Sequence, residues 1–250
     1  MANTKPVTAD ELAQLNTQFE GADPLEILTW AAERFMPKLA ATSSFQTQSV
    51  ALLHLISRAR LAKAGEGETT IPVIFLDTGY HFPETLAYRD QLVEQFGLTL
   101  TIAQPAKTPA EVVKQHGDAL YRSDPDLCCY INKVEPMQRA LAGLEAWITG
   151  IRRDQTANRA TAQPVELLPD GRVKVNPLVA WTREDLWTYI NRHNLPSHPL
   201  FSQGYLSVGC APCTAPVTAG GDERSGRWAG CQKSECGLHT DALTRKRDMD

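Results

Sequence analysis

Ile71-Pro-Val-Ile-Phe-Leu-Asp-Thr-Gly79 is the stretch of this chain that decides its fold. A continuous apolar run is typical of a strand buried on both faces, and such strands occur in parallel sheets that helices cover. The Asp-Thr-Gly sequence then ends the strand in a turn, and Pro83 suits the first turn of the helix expected from Pro83 to Phe96. The stretch therefore predicts one strand–turn–helix unit of an α/β protein.

Outward from this unit, strands and helices alternate along most of the chain. The other predicted strands are Lys38–Thr42, Leu98–Ala103, Ala146–Ile151 and Val173–Asn176. The other predicted helices are one capped by Thr8, one from Asp23 through Phe35, Ser49–Arg60, one near Pro109–Gly117, and Thr182–His193. Gly65–Glu68 is expected to be a surface loop. The alternation predicts an α/β fold with a mostly parallel, doubly wound sheet.

From about Leu200 onward, the pattern gives way to Gly, Pro, Ser and charged residues, which is typical of a loop-rich segment. We therefore expect a main α/β domain over residues 1–205, with short N-terminal helices within 8–36. A C-terminal region over 206–250 follows, and it carries a Cys-x-x-Cys motif. Its tail is expected to be mobile, with Ala219-Gly-Gly221 suited to a hinge.

Composition excludes several functional classes. The 250 residues are 42% hydrophobic and 22% charged, which is ordinary for a globular protein. The formal net charge of -4 argues against a nucleic-acid binder, so any anionic ligand must be met by local positive charge. No apolar run has the length of a membrane span or a signal peptide. We expect a cytoplasmic protein that engages neither nucleic acid nor a membrane.

Four of the six cysteines form two pairs that suggest one site. Cys128 and Cys129 are adjacent, whereas Cys210 and Cys213 form a Cys-x-x-Cys turn in which two thiolates converge on one metal or cluster. Two adjacent cysteines do not readily ligate the same tetrahedral ion. An iron–sulfur cluster accommodates them more easily, because its several metal atoms are spread over a larger volume. Spacing alone thus favours a cluster, with zinc and unrelated buried cysteines as alternatives.

Cys236 differs from the paired cysteines because basic residues flank it. Lys233 and a protonated His239 would favour its thiolate, which is the nucleophilic form. The alternative is an exposed bystander thiol in a tail. Cys231 shows no partner pattern and is interpreted as a bystander.

Three loops that follow predicted strands are candidate ligand sites, because open α/β sheets bind ligands beyond the carboxyl ends of their strands. They span 43–49, 77–81 and 150–159. Ser43 and Ser44 offer hydroxyls near a helix N-terminus, although without further context plain helix capping explains such residues better. Arginines concentrate in the third loop and again at Arg224 and Arg227, and arginine suits bidentate contacts with phosphate or sulfate.

These motifs together resemble one family, the assimilatory sulfonucleotide reductases, within the adenine-nucleotide α-hydrolase-like fold. The resemblance runs from about Ala41 to His239. It rests on Ser-Ser-Phe at 43–45, Leu-Asp-Thr-Gly-Tyr-His-Phe-Pro-Glu-Thr at 76–85, Cys-Cys-x-x-x-Lys-Val-Glu-Pro at 128–136, Gly-Ile-Arg-Arg-Asp-Gln at 150–155, Asn-Pro-Leu at 176–178, Gly-Cys-x-Pro-Cys-Thr at 209–214 and Glu-Cys-Gly-Leu-His at 235–239.

The resemblance implies a chemistry as well as a fold. It implies that one [4Fe-4S] cluster is ligated by Cys128, Cys129, Cys210 and Cys213, with Cys236 as the nucleophile. It implies substrate contacts by Lys133, Arg224 and Arg227. We also expect His239 to act beside Cys236 in catalysis, and substrate contacts at Ser43, Ser44, Asp77, Thr78, Gly79, Arg152 and Arg159.

The implied reaction is the reduction of adenylyl sulfate to sulfite and AMP, with thioredoxin or glutaredoxin as the thiol donor. The same reaction on 3′-phosphoadenylyl sulfate is the alternative, and a homo-oligomer is left open. Two rivals come from other classes. One is an ATP pyrophosphatase-type ligase or RNA-thiolating enzyme, but those carry Ser-Gly-Gly-x-Asp-Ser where this chain has Ser44-Phe-Gln-Thr-Gln-Ser49. The other is a non-enzymatic nucleotide sensor in which Cys236 is inert.

Overall fold

A mostly parallel sheet forms the centre of the protein. The computed structural model describes residues 6–59, 61–63, 66–218, 220–228, 233, 235–240 and 243. The strands in these ranges are β1 (Leu39–Ser43), β2 (Leu61–Lys63), β3 (Glu66–Thr69), β4 (Val73–Leu76), β5 (Leu100–Ala103), β6 (Ala146–Ile148), β7 (Val165–Leu167) and β8 (Val173–Val175). The main sheet has the order β5-β4-β1-β6-β8-β7, in which β7 alone of these strands runs antiparallel to its neighbour. The prediction of a mostly parallel sheet is confirmed.

The strand order creates a switch point beside β1. The chain passes from β1 to β4 and β5, then returns to the other side of β1 to form β6 and β8. Adjacent parallel strands whose connections leave in opposite directions open a crevice at their carboxyl ends, which is where such sheets bind ligands. The fold thus places a ligand site after β1 and β6.

Helices cover the sheet, and several begin at the caps that the sequence predicts. They are α1 (Ala9–Phe19), α2 (Pro24–Phe35), α3 (Val50–Arg58), α4 (Pro83–Phe96), α5 (Pro109–His116), α6 (Leu120–Ser123), α7 (Pro125–Cys129), α8 (Glu135–Ala140) and α9 (Arg183–Arg192). Thr8 caps α1 by accepting from the N–H of Glu11, and Asp23 caps α2 by accepting from the N–H of Leu25. No helix in the described ranges combines the length and apolarity needed to cross a membrane.

Two hydrophobic cores lie on opposite faces of the sheet. Phe75 and Ile148 enter a large core that α1 to α4 and α9 also line. Ile74 and Trp147, their neighbours along the strands, enter a second core with Met137 of α8. Side chains of a strand alternate between its faces, so this division shows that the strands are buried on both sides, as the apolar run of β4 predicts.

The structure departs from the predicted elements in three places. Glu66–Thr69 pairs with Leu61–Lys63 as an antiparallel hairpin, so the prediction of a surface loop over 65–68 is wrong for its described residues. Short helices fill 120–140, and β7 adds an antiparallel edge; the sequence predicted neither. Cys231 and Ala219 of the predicted hinge lie outside the described residues. The division of the chain at residue 205 stays a prediction.

Candidate active site

The main cavity of the described structure opens at the carboxyl ends of β1, β4 and β6, beside the switch point. Loops that follow these three strands all contribute to its wall, as the strand-end rule predicts. The predicted site residues that line it are Ser43, Ser44, Thr78, Lys133, Arg159, Cys210, Arg224, Arg227, Cys236 and His239. Residues from five separate parts of the sequence therefore share one site.

The loop after β1 is a tight turn held by its own hydroxyl groups. Ser43 Oγ accepts a hydrogen bond from the N–H of Phe45 (3.1 Å), whose backbone is left-handed (φ 50°). The Phe45 ring is fully buried and packs edge-to-face on Phe75, with ring centroids 5.5 Å apart. Ser44 Oγ lies 3.4 Å from Ser49 Oγ, just before α3. The buried ring anchors the turn, and Ser43 and Ser44 line the cavity.

The loop after β4 contains a structural turn and a contact with the Cys-x-x-Cys motif. Asp77 Oδ1 accepts a hydrogen bond from the N–H of Gly79 (3.0 Å), and Gly79 has the left-handed φ of 73° that favours glycine. Thr78 is buried, and its Oγ1 lies 3.4 Å from Cys210 Sγ. Asp77 and Gly79, both predicted substrate contacts, thus close the turn, whereas Thr78 lines the cavity.

Hydrogen bonds hold the arginines of the loop after β6. Arg152 is only 1% exposed, and it donates to Asp154 Oδ1 (3.0 Å) and Gln48 Oε1 (3.2 Å). Arg159 lines the cavity and donates from Nη1 to Gln155 Oε1 (2.5 Å). Arg152 therefore braces this loop against the loop after β1 from inside the protein.

Backbone pairing between two C-terminal segments brings Arg227 to the cavity. Arg227 forms an isolated antiparallel bridge with Thr214, and the N–H of Trp228 donates to the carbonyl of Cys213 (3.0 Å). The guanidinium carbon of Arg227 lies 4.6 Å from the centroid of the Trp228 ring. Its Nε is buried and has no hydrogen-bond partner in the part of the chain that the structure describes. A cavity-lining guanidinium with a spare buried donor favours an anionic ligand.

The predicted cluster ligands line one small pocket beside the main cavity, which we call the cysteine pocket. Its cysteines are Cys128, Cys129, Cys210 and Cys213. The first pair ends α7 and leads into a π-helical turn over Tyr130–Val134, and the second brackets a 3-10 turn over Ala211–Cys213. The N–H of Ala211 donates to the carbonyl of Tyr80 (2.7 Å). The fold thus brings the two cysteine motifs together, as their spacing predicts.

The thiols of the cysteine pocket fit a positively charged group. Burial raises the pKa of Cys128 to about 11, and the thiols of Cys210 and Cys213 add to the rise. Burial likewise raises the pKa of Cys129 to about 12. Thiolates at these positions need a positive partner, which a metal centre supplies. Among the described residues, no three Cys, His, Asp or Glu side chains are grouped as ligands of a metal ion.

Cys236 is half-buried in the wall of the main cavity, where cations face it. Burial opposes the charge of Lys133, but the thiols of Cys210, Cys236 and Cys129 outweigh that effect and raise the pKa of Lys133 above its ordinary value. Arg224 lines the same wall and lies close enough to Cys236 to interact with its charge. Two cations of the cavity wall therefore lie within electrostatic range of Cys236.

His239 stacks on Trp147 with ring centroids 5.6 Å apart and an angle of 3° between the planes. Burial lowers the pKa of His239 well below its ordinary value, and Arg159, Lys174 and Arg224 lower it further. The imidazole is therefore neutral at pH 7. Burial and the surrounding cations thus disfavour the protonated His239 that the sequence predicted beside Cys236, and its catalytic role stays a prediction.

Two residues of the site were not predicted from the sequence. Glu235 is buried and accepts hydrogen bonds from Arg159. Gly209 gives Arg227 its space, since a Cβ atom at Gly209 would lie 2.1 Å from Arg227 Nη2. Each residue directly precedes a predicted functional cysteine, which was the available signal. Their roles depend on arginines that only the folded chain places beside them.

Comparison with known proteins gives a consistent picture. A family profile described as phosphoadenosine phosphosulfate reductase domain matches residues 38–216. A protein of Streptomyces coelicolor named adenosine 5'-phosphosulfate reductase is 44% identical over 237 residues, which cover 93% of this chain and 96% of that protein. A protein of Mesorhizobium japonicum with the same name is 45% identical over 237 residues, covering 94% of this chain and 89% of that protein.

Solved structures agree with these matches. The crystal structure of phosphoadenylyl-sulfate reductase from Candida auris, a phosphate complex, has a TM-score of 0.71 and 30% identity, and covers 85% of this chain and 100% of that chain. A flavin mononucleotide adenylyltransferase of Candida glabrata has a TM-score of 0.55 at 14% identity, covering 91% of this chain and 80% of that chain, and shows the shared fold alone. The predicted adenine-nucleotide α-hydrolase-like fold is confirmed.

Proposed function

The chain belongs to the phosphoadenosine phosphosulfate reductase family, and on that premise we propose that it reduces adenylyl sulfate to sulfite and AMP. Family membership makes it an oxidoreductase of sulfate reduction, an enzyme that reduces a sulfur compound. The name adenosine 5'-phosphosulfate reductase, carried by relatives over most of their length, supports adenylyl sulfate as the substrate. The name of the Candida auris protein supports the alternative, 3′-phosphoadenylyl sulfate.

One observation carries the proposal: Cys236 lies in a cationic cavity at the switch point of the sheet. The wall of that cavity holds Lys133, Arg224 and Arg227 together with the thiol. A thiol that attacks an anionic sulfonucleotide needs cations for two reasons. Cations stabilise a nucleophilic thiolate, and they offset the negative charge of the substrate that the thiolate approaches. The cavity offers that combination in one place.

In the proposed first step, the thiolate of Cys236 attacks the sulfur of adenylyl sulfate. A new bond joins the two sulfurs, the bond from sulfur to the bridging oxygen breaks, and AMP leaves with that electron pair. The product on the protein is an S-sulfocysteine. Arg224, Arg227 and Lys133 offset the charge that moves onto the phosphate and surrounds the sulfonate.

In the proposed second step, a thiolate of reduced thioredoxin, or of glutaredoxin, attacks the sulfur of Cys236. The bond between the two sulfurs of the S-sulfocysteine breaks, and sulfite leaves with its electron pair. The resulting mixed disulfide is resolved by the second thiol of the donor, which returns Cys236 to its reduced form. Two electrons thus pass from the dithiol donor to the sulfur that leaves as sulfite.

The remaining predicted contacts divide into two groups. Ser43, Ser44 and Thr78 line the cavity, and we propose that the two serine hydroxyls contact the nucleotide. Arg152, Asp77 and Gly79 make hydrogen bonds within the loops, and we assign them to holding the loops in place.

The cysteine pocket would hold the proposed [4Fe-4S] cluster through the thiolates of Cys128, Cys129, Cys210 and Cys213. The convergence of the four cysteines on one pocket supports this assignment. Bound there, the cluster ties the two cysteine motifs together and supplies the positive charge that the thiolates need. Thr78 Oγ1 and Asn132 Nδ2 contact Cys210 Sγ and Cys128 Sγ at 3.4 and 3.6 Å, positions that orient these ligands.

Trapping the intermediate tests the proposed first step. Anaerobically purified protein is incubated with adenylyl sulfate without a thiol donor, and peptides are mapped by mass spectrometry. We expect one SO₃ group on the peptide of Cys236 and release of AMP, and neither with Cys236→Ser. An adduct on a different cysteine, or AMP release by Cys236→Ser at the wild-type rate, would contradict the assignment.

The same protein, incubated in parallel with ATP or with adenylyl sulfate, distinguishes the proposal from its rivals. An ATP pyrophosphatase-type enzyme would release AMP and pyrophosphate from ATP, and we expect neither product. A non-enzymatic sensor would bind the nucleotide without cleaving it, so AMP release from adenylyl sulfate is the distinguishing result.

A further inference from the structure

Glu235, the residue directly before Cys236, is a buried carboxylate held by arginine. It is 8% exposed. Its Oε1 accepts from Arg159 Nε (3.0 Å) and its Oε2 from Arg159 Nη2 (2.9 Å), so the two side chains meet as a bidentate pair. Thr156 Oγ1 also donates to Oε1 (3.2 Å), and Arg224 Nη2 lies 3.6 Å from Oε2. The carboxylate is therefore fixed in both position and orientation.

The partner of Glu235 belongs to a rigid part of the site. Arg159 is 9% exposed and ends a short 3-10 turn over Ala157–Arg159, in the loop that follows β6. Its remaining nitrogen, Nη1, donates to Gln155 Oε1. The pair thus joins the C-terminal segment over 235–240, which we call the tail, to the loop that follows β6. The junction lies one peptide bond from Cys236.

Other contacts hold the same segment on either side of this pair. His239 stacks on Trp147, and Leu243 is buried in the second core, where its carbonyl accepts from Gln138 Nε2 (2.8 Å). Lys233 forms an ion pair with Asp126 of α7, the helix that carries Cys128 and Cys129. Leu238 packs against the second core. Asp126 is largely exposed, and exposed ion pairs contribute little. Of these ties among the described residues, the buried pair is the one nearest to Cys236, and it is therefore the restraint most directly coupled to the position of the thiol.

We propose that Glu235 is a positioning residue for Cys236, which docks the tail through Arg159, and that Arg159 serves the tail and not the substrate. The proposal rests on the proposed role of Cys236 as the nucleophile. Removing one partner of a buried ion pair leaves an uncompensated charge, so neutralising either partner releases the tie beside Cys236 and lets the thiol move. A nucleophile that is displaced by about 1 Å loses on the order of 100-fold in rate.

Two rates measured on the same thiol test this role. Glu235→Gln keeps the size of the side chain and removes its charge. In single-turnover reactions with adenylyl sulfate, we expect sulfonation of Cys236 to slow by roughly 10- to 100-fold. Alkylation of Cys236 by iodoacetamide should become faster, because an undocked tail exposes the thiol. A change in the pKa of the thiol would move both rates in the same direction, whereas loss of docking moves them in opposite directions.

Glu20→Gln is the matched control. Glu20 forms a bidentate pair with Arg153, at 2.5 and 2.8 Å, which links the end of α1 to the same strand-end loop but not to the tail. We expect this variant to keep both rates. Arg159→Gln breaks the tail pair from its other side and should reproduce the effects of Glu235→Gln, and the double variant should be no slower than either single variant.

Each outcome bears on a separate claim. Wild-type sulfonation by both Glu235→Gln and Arg159→Gln would overturn the positioning role, as would two rates that move in the same direction. If the wild-type protein gives no adduct on Cys236, the proposed reaction fails, yet the alkylation rates still decide whether Glu235 docks the tail.

Discussion

Replacing Gly209 with alanine should remove Arg227 from its place in the cavity without unfolding the protein. The new Cβ would lie 2.1 Å from Arg227 Nη2 and 2.4 Å from its Cζ, whereas an ordinary contact begins at 3.4 Å. The guanidinium must therefore move by at least 1.3 Å, the difference between 3.4 and 2.1 Å. It is the far end of a flexible side chain, and Gly209 does not have a left-handed backbone, so the movement costs the fold little.

The effect on activity should be large because the displaced group is a proposed charge-stabilising contact. A misplacement of this size lowers kcat/KM for adenylyl sulfate on the order of 100-fold. The assay is sulfite release with excess thiol donor, alongside a thermal melt and iron content, because Gly209 adjoins Cys210. Arg227→Ala is the comparison, and the double variant should be no worse than Arg227→Ala alone. A fully active Gly209→Ala beside an inactive Arg227→Ala would refute the reasoning, as would a double variant that is far worse than Arg227→Ala.

Three further predictions concern stability and the cysteine pocket. Burial lowers the pKa of His198 to about 4, and the side chain is 1% exposed. Between about pH 6.5 and 4 this imidazole therefore binds a proton in the unfolded chain but not in the folded one. His198 should thus contribute a fall of about 3 kcal/mol in the free energy of unfolding as the pH drops through that window. Urea denaturation across this range measures it, and an unchanged slope in His198→Gln would contradict it. Gly79→Ala should cost roughly 1–2 kcal/mol in the same assay, since φ is 73° and Pro109 Cγ would lie 2.8 Å from the new Cβ, and a neutral substitution would count against the turn. Serine at any cysteine of the cysteine pocket should lower bound iron and absorbance of the purified protein, while full iron content in all four variants would exclude the pocket as the cluster site.

The regular part of the fold could be predicted because its signals are local. The apolar run of β4 and the caps at Thr8 and Asp23 depend on neighbouring residues only, and each element appears close to its expected bounds. β7 and the short helices over 120–140 show neither the continuous apolar run of β4 nor the apolar periodicity of a long helix, which explains why they were missed. The Gly and Glu residues over 65–68 indicated a loop, but Glu66–Thr69 forms a strand because it pairs with β2.

Some features of the site were likewise predictable from local sequence, whereas others depend on contacts between distant residues. The spacing of the cysteines predicted that four of them share one pocket. The positions of three loops directly after strands predicted that these loops line one cavity. The charge state of His239 could not be predicted, because Arg159, Lys174 and Arg224 reach it only through the fold. Glu235 and Arg159 are 76 residues apart in the sequence, so no local pattern predicts that they form an ion pair.

Sulfite release by anaerobically purified protein, with adenylyl sulfate and its 3′-phosphorylated form compared under identical conditions with reduced thioredoxin, tests the central claim most directly. The account predicts rapid sulfite release from adenylyl sulfate, slower release from the 3′-phosphorylated form, and none from either with Cys236→Ser. Sulfite release that persists in Cys236→Ser, or a clear preference for the 3′-phosphorylated form, would contradict it.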